Sequence, residues 1–128
     1  MSGVKAMAEI NFSDMRGMQL ELRRAHEEKW GPLDPKAAPN QLLWLVEELG
    51  EAISIVKKKS EKEIMAEGAV RYNLCAELCD VLMYFNDVLI CYGITPEEIS
   101  NAYIAKHQYN MKRDYDKQNK ALYCEKEQ

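Results

Sequence analysis

Four acidic side chains carry the first chemical signal in this 128-residue chain: Glu48 with Glu51, and Glu77 with Asp80. Each pair is spaced three apart, so on a helix its two side chains lie on neighbouring turns of one face. Like charges so placed destabilise an isolated helix by roughly 0.2–0.5 kcal/mol per pair. A divalent cation offsets that cost, and hard oxygen ligands on facing helices are what magnesium, or manganese, requires. The first pair sits among Leu45, Val46, Leu49, Ala52 and Ile53, the second among Leu74, Leu78, Val81 and Leu82, so both border a core. One acidic pair on a helix is ordinarily a solvated feature. Two pairs on successive apolar helices leave a metal site and a solvated acidic face as the two open readings.

Both pairs need helices to hold them. From Phe12 to Trp30, Met15, Met18, Leu22 and Ala25 recur at helical spacing, with Ser13 placed to cap the first turn. Three prolines and a glycine between Gly31 and Pro39 make a loop, because no helix interior tolerates them. Asn40 then caps a second helix whose apolar stripe is Leu42, Leu45, Val46, Leu49, Ile53 and Val56. Lys57, Lys58 and Lys59 mark its end, where positive charge suits the helix dipole and solvent. Residues 60–68 are charged and hold a turn with a short helical piece.

From Val70 to Tyr92 apolar residues crowd more than one face, which predicts the most buried helix, ended by Gly93. Thr95-Pro96-Glu97-Glu98 reads as the next start, a threonine cap with proline in the first position, and that helix runs to Tyr115. A mobile terminus (1–10) and a polar tail (116–128), in which only Leu122 and Tyr123 pack, flank one helical domain spanning 11–115. No strand pattern or repeat interrupts it. The expected fold is all-α, a four-helix bundle within one chain or completed by a second.

Composition narrows the function. Seventeen basic against 21 acidic residues give a net charge of 17 − 21 = −4, with no basic excess to draw the chain to nucleic acid or an anionic membrane. No apolar run approaches the roughly 20 residues that span a bilayer, and Met1 to Ile10 lacks the apolar stretch of a signal peptide, so a cytoplasmic protein is expected. Cys75 and Cys79 stand four apart on one helical face, which is no disulfide framework; with Cys91 and Cys124 they read as buried or half-buried thiols.

The spacing Glu47-Glu48-x-x-Glu51, then Glu77-x-x-Asp80 after 25 intervening residues, resembles the MazG-type all-α nucleoside-triphosphate pyrophosphohydrolases. Relatives of that family include dCTP pyrophosphatases, dimeric dUTPases and phosphoribosyl-ATP pyrophosphohydrolase. Asn40-Gln41-Leu42-Leu43-Trp44-Leu45-Val46 before the first pair and Asp80-Val81-Leu82-Met83-Tyr84 after the second resemble the family's helix entry and core helix. The likeness covers about residues 13–115. It implies Mg2+, or Mn2+, on Glu48, Glu51, Glu77 and Asp80, and hydrolysis of a nucleoside or deoxynucleoside triphosphate to the monophosphate and pyrophosphate. The nucleophilic water would give its proton to Glu47 or Glu48.

The same resemblance places Tyr84 at the nucleotide and Lys106 and Asn110 at the phosphates, with Arg113 a further phosphate contact. Trp30 is favoured over Trp44 for stacking on the base, since tryptophan at helical spacing more often belongs to a core. Short family members assemble as homodimers or homotetramers, and the same is expected here. Where dCTP-type members carry an aromatic after the first carboxylate helix turn, this chain reads Ile53-Ser54-Ile55-Val56-Lys57-Lys58, so the likeness carries no cytosine preference. Two rival readings stand: a phosphoribosyl-ATP pyrophosphohydrolase, disfavoured by the long loop after the first helix, and a non-enzymatic helical interaction module.

Overall fold

A computed structural model describes residues 9–113, and all regular structure among them is helical. Five helices follow in order: α1 (Phe12–Ala25), α2 (Ala38–Lys58), the single-turn α3 (Glu61–Met65), α4 (Ala69–Cys91) and α5 (Pro96–Lys112). The four long helices and the short piece after α2 match the expectation from periodicity. The polar tail, with Leu122, Tyr123 and Cys124, lies outside the described residues, as does the start of the chain. The chain divides into two units at Pro96, the first holding α1 to α4 and the second formed by α5.

Within the first unit α4 is the hub, packing most extensively on α2 and also on α1 and α3. Its boundaries are chemical. Gly93, at φ +65°, takes the left-handed turn after the helix, and the amides of Gly93 and Ile94 return to the carbonyls of Ile90 and Leu89 at 3.1 and 2.9 Å. Those two bonds satisfy carbonyls that the helix end would otherwise leave open. Gly68, at φ +146°, makes the turn from α3 into α4, a conformation open to glycine.

Three helix starts or ends differ from the sequence expectation for a local reason, and α5 stops at Lys112, short of the expected Tyr115. The cap of α1 is Asn11 rather than Ser13: Asn11 Oδ1 accepts from the Asp14 amide at 2.8 Å while Asp14 returns the bond to the Asn11 amide at 2.9 Å. The helix stops at Ala25, and tight turns carry the chain to Trp30, whose amide donates to the His26 carbonyl at 2.9 Å. At the other side of the loop, α2 begins at Ala38 and not after Asn40. Asp34 supplies the start by accepting from the Ala37 amide at 3.0 Å, and Pro39 is tolerated because the first turn leaves its amides unbonded anyway. The side chain of Asn40 is thereby released from capping.

Packing is thin for so apolar a chain. Ala38, Ala52, Leu89 and Cys91 are the buried apolar residues, and no large side chain among the described residues is fully enclosed. On α2 the stripe Leu42, Val46, Leu49, Ile53 and Val56 is exposed along its length. α4 is the most buried helix, as its composition predicts, yet Leu78, Leu82 and Met83 remain open. No helix among the described residues is long and apolar enough to cross a membrane.

Candidate metal and ligand site

The side of α2 that faces α4 carries Gln41, Leu45, Glu48, Ala52 and Ile55, and the α2–α4 contact sets Glu48 opposite Glu77 and Asp80. One carboxylate oxygen from each of these three lies within 4.8 Å of the others, and all three residues are half-buried. Burial, a hydrogen bond with Glu77 and the negative charges of Asp80, Glu77 and Glu51 together push Glu48 above the ordinary carboxylate range. Three hard oxygen donors on facing helices suit a small divalent cation, which would offset both the burial of Glu48 and the negative charge gathered around it.

Glu51 falls outside this trio. Three residues beyond Glu48 it is turned by about 60° around α2, which carries it to the exposed flank of the contact. Its charge still reaches Glu48, as the shift there records. Glu47 is likewise exposed and takes no part in the cleft beside the trio.

That cleft, of about 540 Å³, runs between α1, the α1–α2 loop, α2 and α4, with Glu48 and Asp80 in its wall. Its size suits a small organic ligand. Trp30 and Trp44 both line it, together with Asn40, Gln41 and Tyr84. Trp44, expected in the core, is 48% exposed and shows its ring to the cleft. Trp30 is held from its own side: the His26 ring lies 4.5 Å away at 33°, and the Arg23 guanidinium sits 5.1 Å over the indole. Tyr84 also lines the cleft. Burial and the charges of Glu48, Asp87 and Asp80 raise its hydroxyl above the usual tyrosine range, more than Arg23 lowers it.

Three further cleft residues carry no family spacing: Gln19, Arg23 and Asp87. Asp87 is 4% exposed and Gln19 6%. Gln19 Nε2 donates to Asp87 Oδ1 at 2.7 Å, and Arg23 Nη2 stands 4.0 Å from Asp87 Oδ2. Desolvation raises Asp87, while the Gln19 hydrogen bond and the Arg23 charge pull the other way. The signal was partial: Gln19 lies between Met18 and Leu20, and Asp87 follows Asp80 by two turns, with mostly apolar residues between them. A polar side chain on a buried face must find a partner, and these found each other. Beside them Asn86, also buried, donates to the Leu82 carbonyl at 2.9 Å.

In the second unit, Lys106 and Asn110 stand one turn apart on α5, and Arg113 follows the helix end. Lys106 Nζ and the Arg113 guanidinium lie 5.1 and 6.0 Å from the ring of Tyr109. Of the cysteines, Cys91 is buried as expected, but Cys75 and Cys79 are exposed. The lysines at the end of α2 are solvated, as their charge predicts. No protein-family model matches the chain, and no curated protein is similar enough to it to count as a relative.

Proposed function

We propose that this chain is a magnesium-dependent nucleoside-triphosphate pyrophosphohydrolase of MazG type, acting on a nucleoside or deoxynucleoside triphosphate. The observation that carries the reading is the convergence of Glu48, Glu77 and Asp80 to within 4.8 Å at the edge of a cleft lined by two tryptophans and a tyrosine. Carboxylates for a phosphate-bound cation and flat apolar rings for a base therefore occur side by side, as a nucleotide requires. Bound magnesium, with manganese as a substitute, would supply neutralisation of phosphate oxygens and a more acidic water for attack at phosphorus.

The chain's own residues do the rest. Glu48, Glu77 and Asp80 would hold the cation, and the resemblance adds Glu51 from the flank. Between the two candidate bases, Glu48 faces the cleft and Glu47 does not, so Glu48 takes the proton of the attacking water. Trp30, fixed by His26 and Arg23, offers a ring face, and Tyr84 a hydroxyl beside the carboxylates. Lys106 and Arg113 are cations, and Asn110 an amide, of the kind that phosphate oxygens select; their assignment to the leaving pyrophosphate rests on the resemblance. Assembly as a homodimer or homotetramer belongs to the same reading. The exposed apolar stripe of α2 supports a second copy as its cover, since among the described residues no large side chain is fully enclosed.

The test is incubation of purified protein with individual NTPs, dNTPs and phosphoribosyl-ATP, with and without magnesium, measuring monophosphate and pyrophosphate. Metal-dependent release of both from a common triphosphate is expected. Release from phosphoribosyl-ATP alone would move the chain to the histidine-pathway relative, and release from none would leave a helical interaction module.

A further inference from the structure

The cleft holds a second message in the orientation of one amide. Gln19 Nε2 lies 2.7 Å from Asp87 Oδ1, and the other Asp87 oxygen faces the Arg23 guanidinium at 4.0 Å. An ionised carboxylate only accepts hydrogen bonds, so Gln19 must turn its NH₂ toward Asp87. Its carbonyl Oε1 is then the end left over. Gln19 lines the cleft, and among the described residues no donor bonds to that oxygen.

We propose that Asp87 is a positioning residue that makes Gln19 Oε1 a fixed hydrogen-bond acceptor in the cleft, and that this acceptor selects a base with an amino group at pyrimidine C4 or purine C6, cytosine or adenine. The proposal rests on the pyrophosphohydrolase reading and gives that site its base preference. A ring laid against Trp30 or Trp44 presents its exocyclic group at its edge, within the same cleft wall. An amino group there donates to Oε1. A keto group, as in uracil or hypoxanthine, sets oxygen against oxygen, with the Asp87 carboxylate behind preventing the amide from reversing. Buried hydrogen-bonding groups discriminate strongly because the wrong partner leaves them unpaired.

The same geometry dictates what Asp87→Asn does. Arg23 demands an acceptor, so the new amide turns its oxygen to the guanidinium and its NH₂ to Gln19. Gln19 must then reverse, showing its own NH₂ to the cleft, and the preference moves from amino toward keto bases. Folded shape and total hydrogen bonding change little, while the chemical sense of the wall inverts.

The experiment measures kcat and KM with magnesium for two pairs differing at this edge, CTP against UTP and ATP against ITP. For the unaltered protein, kcat/KM favours the amino member of whichever pair is accepted by tenfold or more. In Asp87→Asn that ratio collapses or inverts, the change falling on KM. Gln19→Leu, which leaves Asp87 paired with Arg23, brings the ratio close to one and serves if the first variant does not fold. Equal use of amino and keto members, a keto preference, or an unchanged ratio in either folded variant overturns the assignment of Gln19 and Asp87 while leaving the enzyme reading intact. Hydrolysis of no triphosphate overturns both.

Discussion

At the residue scale, the carboxylate trio and the buried Asp87 are opposite solutions to one problem. Glu48 is pushed upward by burial and by its acidic neighbours with no basic group to offset them, whereas the upward push of burial on Asp87 is partly offset by an amide and a guanidinium. Removing one charge from the trio should therefore relieve the metal-free protein. Glu48→Gln is expected to gain about 0.5 kcal/mol without metal, a rise of about 2–4 °C in midpoint, by the size of helical like-charge repulsions. It should lose the magnesium-induced rise in midpoint expected of the parent. Asp80→Asn loses that rise as well, and Glu51→Gln, outside the trio, loses less of it; thermal denaturation across a magnesium series ranks the three.

Asp87 makes a separate prediction about pH. Its folded-state affinity for protons is raised, so over the interval just above the ordinary aspartate value the folded chain binds more protons than the unfolded one. Stability must then fall as pH rises through that interval. Comparing urea midpoints of the parent and Asp87→Asn over that range isolates the effect: the downward slope belongs to the parent alone, and identical slopes would contradict it.

At the element scale, the site depends on how α4 ends and how α2 begins. Gly93 lets α4 stop so that Ile94 turns back, and Arg16 of α1 donates to the Ile94 carbonyl, tying the first helix to that turn. A Cβ added at Gly93 meets no atom within 4 Å, so Gly93→Ala is opposed by backbone conformation and not by crowding. Its cost should be about 1–2 kcal/mol, the penalty of a left-handed L-residue, read as a lower urea midpoint with unchanged slope. At the other end, Asp34 starts α2 in place of Asn40, which leaves Asn40 in the cleft wall and sets Glu48 at its height along α4.

At the scale of the whole molecule, the apolar stripe of α2 and the open residues of α4 are the largest unanswered feature. Leu43 is 67% exposed and Val46 61%, and the buried apolar set among the described residues is two alanines, a leucine and a cysteine, a balance that favours a covered stripe. The proposed oligomer predicts a mass in light scattering that is a multiple of 14.8 kDa. Charge introduced into the stripe by Val46→Glu or Ile53→Glu should shift it to the single-chain mass and make the midpoint fall with dilution no longer. A parent that already runs as one chain would end this reading.

The sequence by itself determined what is local. Helical periodicity, the loop of prolines, the Gly93 stop and the Thr95-Pro96 start are written in neighbouring residues, and all four long helices follow from them. Spacing also put Glu48, Glu77 and Asp80 on helix faces that could meet. Tertiary structure decided which carboxylates do meet, because the α2–α4 contact admits only one strip of each helix and Glu51 lies beside it. It likewise turned Trp44 outward to the cleft and joined Gln19 to Asp87 across 68 positions of chain. Such a pairing has no spacing to betray it: a buried amide and a buried carboxylate are each costly alone, and only packing shows that they satisfy one another.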